Sequence, residues 1–169
     1  MLPYLGKADL FANYNSSKRW NESPNDQAAR EQISDYDCPS RRITIPAGKP
    51  WPTAYIIPTG PGALMQPTGK RQFKDATDGL SQTICLVEAC GLEIPWTEPR
   101  DADISRQPIG VNLKGKGLTD SPGILSSWHG DVVNVVMADG SSRAISQNID
   151  PGVLKALLTA DGGETVPMD

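Results

Sequence analysis

An apolar run that ends in an Asp-Gly pair constrains the fold of this chain more than any other feature of the sequence. The run from Val132 to Ala138 is apolar except for one asparagine, which is typical of a buried strand. Asp139-Gly140 then predicts a two-residue hairpin turn, because both central positions of that turn need positive φ. Residues 141–146 are the predicted return strand. The chain therefore contains a β-hairpin, and with it an antiparallel sheet.

The only histidine in the chain, His129, lies at the open end of this hairpin. A two-residue turn would pair Val133 with Ser146, and the same register continued outward sets His129 opposite Asp150. We therefore predict that His129 has a structural role and ties the base of the hairpin to the helix that follows. The alternatives are a catalytic base, which needs a nucleophile and an orienting group beside it, and a metal or ligand contact. A single histidine cannot supply the usual multi-histidine zinc shell.

Length and composition exclude several classes of protein. A chain of 169 residues is the size of one domain, 1–169, and buries roughly 70% of its unfolded surface. Charged residues make up 21% and the net charge is −4, so no basic face favours nucleic acid. The 16 glycines and 15 prolines indicate short strands joined by irregular chain. No apolar run approaches the roughly 18 residues that a membrane-spanning helix needs.

Three cysteines are too few for a disulfide scaffold and too sparse for a zinc site of the usual spacing. Cys85 and Cys90 flank one predicted strand, where five extended residues separate them by about 16 Å, beyond disulfide reach. Any disulfide must therefore include Cys38. Three buried thiols are the alternative.

The remaining elements follow from apolar spacing and from caps. Apolar residues at helical spacing predict a short amphipathic helix over 1–15, and Ser23-Pro24 predicts a helix through Ile33. The other predicted elements are an extended piece at Tyr36 to Ser40, strands at Tyr55 to Ile57 and Thr83 to Ala89, and a helix that begins after the Asp150-Pro151 cap and stops at Asp161-Gly162-Gly163. The predicted fold class is α+β: helices first, then an antiparallel sheet ending in the hairpin, then a short closing helix.

Four further residues are candidates for a site. Glu88 lies inside an apolar strand, so we expect it to pair with a base such as Arg143 or with backbone amides; a functional acid is the alternative. Trp96 and Trp128 are flanked by loop and are predicted to cover the core, although an exposed indole would suit a partner or a glycan. Asp139 and Gly140 are assigned to turn chemistry.

Pairs of carboxylates recur in the loops. They are Asp75 with Asp78, Asp101 with Asp103, and Asp161 with Glu164. None matches the twelve-residue calcium loop, so we interpret them as solvated turn residues and predict no cofactor; a calcium site is the alternative.

Several short segments together resemble a family of the DUF1559 type, expanded in planctomycete bacteria, whose members join a prepilin-type cleavage/methylation segment to a domain named for an H-X9-DG motif. The segments that carry the resemblance are Leu2-Pro3-Tyr4-Leu5, Cys38-Pro39-Ser40, Thr77 to Ile84, Val87-Glu88, Pro95-Trp96-Thr97, His129 to Gly140, Ile149-Asp150-Pro151, Leu154 to Leu158 and Gly162-Gly163. Singly these segments are weak signals, but they occur in the order of the family.

The resemblance implies a pseudopilin-like head, in which a long N-terminal helix leans on an antiparallel sheet, and export after a prepilin peptidase removes a leader. Met1 directly precedes the Leu-Pro-Tyr-Leu element, so we expect the leader and the membrane-spanning helix to be missing from this chain. The implied location is extracytoplasmic, with the membrane reached only through that helix.

The leading hypothesis is a non-enzymatic structural and interaction protein, a subunit of a type II secretion or type IV pilus-like assembly whose partners are other pilin-like subunits. The second hypothesis is a carbohydrate- or calcium-dependent binding module built on loops 58–80 and 91–127. The third is a hydrolase that uses His129.

Overall fold

The computed structural model describes residues 1–66, 68, 71–115 and 121–164, and within these ranges the fold is α+β, as predicted. The helices are α1 (Ala8–Asn13), α2 (Asn25–Ala28) and α3 (Pro151–Leu158). The strands are β1 (Tyr55–Ile56), β2 (Pro58–Thr59), β3 (Ile84–Glu88), β4 (Ala102–Asp103), β5 (Val132–Met137) and β6 (Ser142–Ser146). Single 3-10 turns lie at Leu2–Leu5, Ser34–Tyr36, Phe73–Asp75, Leu80–Gln82 and Cys90–Leu92.

The main sheet has four antiparallel strands in the order β1-β3-β5-β6, with the predicted hairpin as its β5-β6 half. The apolar run forms strand β5 as predicted, and its burial alternates: Val133, Val135 and Met137 are buried, whereas Asn134 between them is exposed. Strand β3 lies between β1 and β5, and a bulge at Cys85 shifts its register. Val87 and Glu88, at the end of β3, are both buried, and as neighbours in a strand they point to opposite faces of the sheet.

The register of the hairpin differs from the prediction by one residue. Val132 pairs with Ser146, and Val135 pairs with Arg143. The predicted pairs of Val133 with Ser146 and of Val135 with Ala144 are therefore wrong, as is the extension of that register to residues 129 and 150.

The cause is a turn of three residues instead of two. Gly140 donates its N–H to the carbonyl of Met137 at 3.0 Å, and Met137 donates to the carbonyl of Ser141 at 2.8 Å. Gly140, with φ of +86°, is the one left-handed residue of the loop. A tight turn followed by a left-handed glycine is the usual three-residue hairpin, so the Asp-Gly signal located the turn correctly but suggested the wrong turn type.

The core lies between the sheet and the last helix. Asp150 caps α3, where its carboxylate accepts the N–H groups of Gly152 at 2.8 Å and Val153 at 3.1 Å, with Pro151 in the first turn. The apolar face of α3 then packs on the sheet, with Leu154 and Leu158 fully buried. The cap and the closing helix agree with the sequence prediction.

The N-terminal helices are shorter than predicted. Leu2–Leu5 ends at Gly6, which has φ of 69°, and α1 begins only at Ala8. No residue of α1 is buried, so the predicted amphipathic helix over 1–15 is wrong both in its length and in its packing.

Helix α2 is a single turn, and Pro24 occupies the cap position that the sequence assigned to Ser23. It stops early because the carbonyl of Ala29 accepts the N–H of Trp51 at 2.7 Å, a tertiary bond in place of a helical one. Ile33 is fully buried but lies outside any helix.

The long loops contain one small second sheet, in which β2 and β4 pair in parallel. Residues 67, 69 and 70 of the first loop and 116–120 of the second, which includes part of the glycine-rich stretch, lie outside the described residues. None of the described helices has the length and the apolar character that crossing a membrane requires.

Candidate functional site

Three segments distant in sequence meet at His129. The 3-10 turn Ser34–Tyr36 leads into a tight turn at Cys38, whose carbonyl accepts the N–H of Arg41 at 3.0 Å. The extended piece predicted over Tyr36 to Ser40 is thus mostly turn. The turn directs Cys38 and Ser40 toward the histidine, which comes from the loop before β5, while Glu88 comes from the end of β3.

Glu88 is a buried carboxylate with two partners. The residue is 1% exposed; Oε2 accepts the N–H of Asn134 at 2.7 Å, and Oε1 lies 3.1 Å from Nε2 of His129. The backbone carbonyl of Glu88 accepts the N–H of Ser126 at 2.9 Å, one residue past the last β3–β5 pair, Val87 with Val135. The carboxylate itself binds a backbone N–H of β5, and its two contacts satisfy a buried polar group. The sequence predicted that Glu88 pairs with a base or with backbone amides, and both kinds of partner are present. The base is His129, whereas the example named from the sequence was Arg143.

His129 is held at both ring nitrogens. Nε2 lies 3.5 Å from Sγ of Cys38 in addition to its contact with Glu88, and Nδ1 lies 3.3 Å from Oγ of Ser40. The side chain is still 25% exposed. The His129 side chain contacts Glu88 on the central strand β3 and the 38–40 turn. The prediction that it faces Asp150 is therefore wrong.

The loop that carries His129 is fixed by its own hydrogen bonds. Oγ of Ser127 accepts the N–H of His129 at 3.2 Å and donates to the carbonyl of Val132 at 2.6 Å. Asn112, which has φ of 49°, donates to the carbonyl of Gly130 at 2.6 Å and accepts the N–H of Ser127 at 2.8 Å. The imidazole is thus oriented before any ligand is considered.

The Cys38 thiol contacts the imidazole, and a second thiol, that of Cys90, lies in the same apolar cluster as Cys38. Cys38 and Cys90 are 1% and 3% exposed and share a small apolar cluster with Ala54, against which Tyr55 and Trp128 pack. Burial raises the pKa of the Cys90 thiol, and the nearby Cys38 and Glu88 raise it further. All three cysteines are free in the structure, and Cys85 lies apart from this cluster.

A buried ion pair supports the 38–40 turn from the other side. Nε of Arg41 lies 2.5 Å from Oδ1 of Asp37, and both side chains are less than one tenth exposed. Oδ2 of Asp37 accepts from the indole N–H of Trp51 and from the side-chain amide of Gln32, each at 3.1 Å. The pair and its two donors hold the chain immediately before Cys38.

Asp139 and Gly140 do not belong to this site, because they lie at the opposite end of β5, a strand of six residues that spans about 20 Å. Oδ1 of Asp139 accepts from Ser141, from its N–H at 2.9 Å and from its hydroxyl at 2.6 Å. The nine residues between His129 and Asp139 therefore contain strand β5. His129 makes its contacts before the strand begins, and Asp139 makes its contacts after the strand ends.

Trp128 covers the cysteine cluster, whereas Trp96 lies over a separate groove. The Trp96 indole donates to the carbonyl of Glu31 at 3.0 Å, and its ring centroid is 6.1 Å from that of Tyr36. Trp96, Tyr36 and Tyr55 line a cavity of about 460 Å³.

The loop carboxylates have local partners. Asp78 accepts the N–H groups of Gly162 and Gly163, both at 2.8 Å. Asp101 accepts the N–H of Ile57 at 2.9 Å, and Asp75 accepts the N–H of Gln72 at 2.8 Å. Asp103 accepts the N–H of Ser105. Within the described ranges, the one group of three or more His, Cys, Asp or Glu side chains close enough to share an ion is Cys38, Glu88 and His129.

Sequence reasoning found Glu88 and His129 but missed Cys38, Ser40, Ser127 and Asn112 as their neighbours. The Cys38-Pro39-Ser40 segment was noticed as a family element, yet only the folded chain brings it to the histidine. Asn112 carries no local signal that would connect it to residue 130.

Residues 1–107 match the family model described as "Protein of unknown function (DUF1559)". The matched span includes the 38–40 turn and β3 and ends before His129. No curated protein and no solved structure matches the chain. Because the match covers more than half of its length, this chain belongs to the DUF1559 family of proteins of unknown function.

Proposed function

We propose that this protein is a non-enzymatic structural and interaction protein, the exported head of a pseudopilin-like subunit. The observation that carries the proposal is the engagement of His129 on both ring nitrogens, with Glu88 and Cys38 at one and Ser40 at the other. These contacts join the 38–40 turn, the central strand and the hairpin. We call the group of Cys38, Ser40, Glu88 and His129 a structural clamp, because it holds these three segments together.

The same contacts argue against a hydrolase. Cys38 and Glu88 are each 1% exposed, so a substrate cannot reach the thiol or the carboxylate. Ser40 is the nucleophile that a hydrolase would use, and its hydroxyl lies 3.3 Å from the histidine. In a hydrolase, Ser40 and His129 would both face a substrate pocket, and the cavities beside Trp96 and beside Trp20 are lined by neither residue.

Substitution of His129 separates these two functions. In a structural clamp, His129→Ala leaves the buried Glu88 charge without its imidazole partner, so we expect the melting temperature to fall by several degrees. The measurement is differential scanning fluorimetry of both proteins, with Asn148→Ala as an exposed control. An unchanged melting temperature, or an esterase activity of the wild type that His129→Ala and Ser40→Ala both remove, would refute the proposal.

Exposed apolar side chains at the N-terminal segments support assembly with other subunits. Tyr4 is 91% exposed and Phe11 56% exposed, both on short helical segments that pack little against the rest of the chain. Apolar surface of this kind suits a partner protein. In the proposed assembly, these side chains are covered by neighbouring pilin-like subunits, and an upstream apolar helix anchors the protein outside the cytoplasm.

Fractionation of the native host, with the complete reading frame tagged at its C-terminus, tests export and assembly. We expect a processed N-terminus, membrane association and protease accessibility in spheroplasts. The double variant Tyr4→Asp/Phe11→Asp should lose crosslinks to pilin-like partners. Phe73→Asp, at a position 57% exposed in the 3-10 turn Phe73–Asp75, should keep them. An unprocessed protein in the cytosol would refute the assignment.

The groove beside Trp96 favours a second candidate function, an extracytoplasmic carbohydrate-binding module. Its cavity of about 460 Å³ is lined by Trp96, Tyr36 and Tyr55, and aromatic rings suit the apolar faces of sugars. A tyrosine hydroxyl is ordinarily protonated at neutral pH, and burial raises the pKa of both tyrosines further, so both hydroxyls can donate hydrogen bonds.

Tryptophan fluorescence during titration with cello- and chito-oligosaccharides, with and without calcium, tests this candidate. Saturable quenching that Trp96→Ala removes and Trp20→Ala keeps would favour the binding module, because Trp20 lies outside this groove. A flat titration with every sugar would leave the structural subunit as the better assignment.

A further inference from the structure

We propose that Cys38, Glu88 and His129 bind a divalent transition-metal ion, zinc by the chemistry of the donors. Thiolate, imidazole and carboxylate are the three ligand types that zinc takes in proteins. The proposal goes beyond the structural role above, because it assigns a ligand to the clamp.

The distances between donor atoms agree with a tetrahedral metal site. One ligand atom from each residue lies within 4.8 Å of the other two. Nε2 of His129 is 3.5 Å from Sγ of Cys38 and 3.1 Å from Oε1 of Glu88. Zinc bonds of about 2.3 Å to sulfur and about 2.1 Å to nitrogen and oxygen give tetrahedral edges of about 3.6 Å and 3.4 Å. Small movements of the side chains would therefore complete the coordination.

Hydrogen bonding alone leaves one of these two contacts unsatisfied. A protonated Nε2 donates to Glu88, but it then has no lone pair for the Cys38 thiol. An unprotonated Nε2 accepts from the thiol, but its lone pair then faces a carboxylate oxygen at 3.1 Å. A cation between the three atoms satisfies all of them at once.

The surrounding residues are arranged as those around metal ligands usually are. Ser40 Oγ lies 3.3 Å from Nδ1. In the metal-bound tautomer Nδ1 carries the proton, so Ser40 would accept that N–H and the Nε2 lone pair would be directed at Glu88 and Cys38. The other carboxylate oxygen of Glu88 is bound by the N–H of Asn134 at 2.7 Å. Both ligands are therefore oriented by second contacts before an ion arrives.

Charge also favours a divalent ion at this point. The thiolate of Cys38 and the carboxylate of Glu88, both 1% exposed, together neutralise two positive charges. The proposed fourth ligand is water, which would reach the site beside the His129 side chain, the exposed member of the three at 25%. Cys90 lies next to Cys38 but outside the group of three, so it is not assigned as a ligand.

Cobalt(II) binding to the reduced, metal-free protein tests the proposal directly. We expect one equivalent to bind, with a sulfur-to-cobalt charge-transfer band in the near ultraviolet and the visible bands of a tetrahedral ion. Zinc should displace the cobalt and raise the melting temperature. Absence of both cobalt bands from the folded wild-type protein would overturn the site, and so would a disulfide between Cys38 and Cys90 in the protein isolated from its host.

Variants assign the ligands. Cys38→Ser should lose the charge-transfer band, and His129→Gln should weaken cobalt binding at least tenfold, with circular dichroism as the control for folding. Cys85→Ser is the matched control, because that thiol contacts the carbonyl of Met137 at 3.4 Å, away from the site. Cys90→Ser should retain the spectrum. Loss of the charge-transfer band in Cys85→Ser or Cys90→Ser, or its persistence in Cys38→Ser, would overturn the assignment.

Discussion

At the scale of single residues, Glu88 shows how a charge is kept inside this protein. Burial of a carboxylate in an apolar strand is unfavourable unless the carboxylate has polar partners. Here the partners are the backbone N–H of Asn134 and the imidazole of His129. Neither partner is near Glu88 in sequence. The side chain therefore joins β3 to β5 and to the histidine loop, and its role depends on both contacts.

Removal of the Glu88 carboxylate should be strongly destabilising. In Glu88→Ala, the N–H of Asn134 and the imidazole of His129 lose their common acceptor, and we expect the free energy of unfolding to fall by about 3–5 kcal/mol. Urea denaturation measures the change, with Glu31→Ala, an exposed position, as the control. A loss below about 1 kcal/mol would contradict the buried pairing.

Asp139 predicts a pH dependence at the hairpin turn. The hydroxyl and the N–H of Ser141 hold the pKa of this carboxyl below its ordinary value. A lowered folded-state pKa contributes stability above the unfolded pKa, and that stability is lost as pH falls through the folded one. Asp139→Asn should therefore lower the melting temperature at neutral pH, by an amount that shrinks below about pH 4.

Melting curves between neutral and acidic pH measure this difference. Ser141→Ala removes the main cause of the shift, so in that background the effect of Asp139→Asn should be smaller. A difference between wild type and Asp139→Asn that stays constant into the acidic range would contradict the assigned contact.

At the scale of elements, the hairpin is secured at both ends. The turn closes through the positive φ of Gly140, while the open end is held by the contacts of His129 and by Ser127, which accepts from His129 and donates to Val132. The six residues of β5 separate the turn at Gly140 from the contacts of His129. The nine residues between His129 and Asp139 thus include all six residues of β5, and the spacing does not bring the histidine and the aspartate together.

Two substitutions at Gly140 test the closed end. Gly140→Val places a β-branched residue at φ +86°, and we expect a loss of about 1–3 kcal/mol. Gly140→Asn should cost less, because asparagine tolerates the left-handed region. Guanidinium denaturation of both variants measures the difference, and equal losses would contradict a requirement of backbone conformation.

At the scale of the whole molecule, stability depends on a central strand covered by the final helix. Strand β3 pairs with β1 and β5, and the apolar face of α3 packs against the same cluster. Asp78, in the loop before β3, accepts two N–H groups from the turn after α3. The loop before β3 and the turn after α3 are therefore hydrogen-bonded to each other.

Truncation of the helix face tests this packing. Leu158 is 0% exposed, so Leu158→Ala should cost about 2–5 kcal/mol, or roughly 4–20 °C in melting temperature. Lys155→Ala, on the outer face of α3, is the control and should change little. A small effect of Leu158→Ala in differential scanning fluorimetry would show that the helix is not part of the core.

The sequence by itself determined the features whose signals are local. The apolar run Val132 to Ala138 predicted β5, the Asp-Gly pair located the turn, and the Asp150-Pro151 cap located the start of α3. Each depends on residues within one turn or one strand of each other. The same local reasoning failed at the N-terminus, where the Trp51–Ala29 bond helps to end α2.

Only the tertiary structure decided the register of the hairpin and the composition of the site. The register depends on whether the loop holds two residues or three, which the Asp-Gly pair alone does not specify. The site depends on three segments, at residues 38–40, 88 and 129, whose separations in sequence match no ligand motif. Chain topology brings them within hydrogen-bond distance because β3 continues past the end of its pairing with β5, and no pattern of neighbouring residues encodes that geometry.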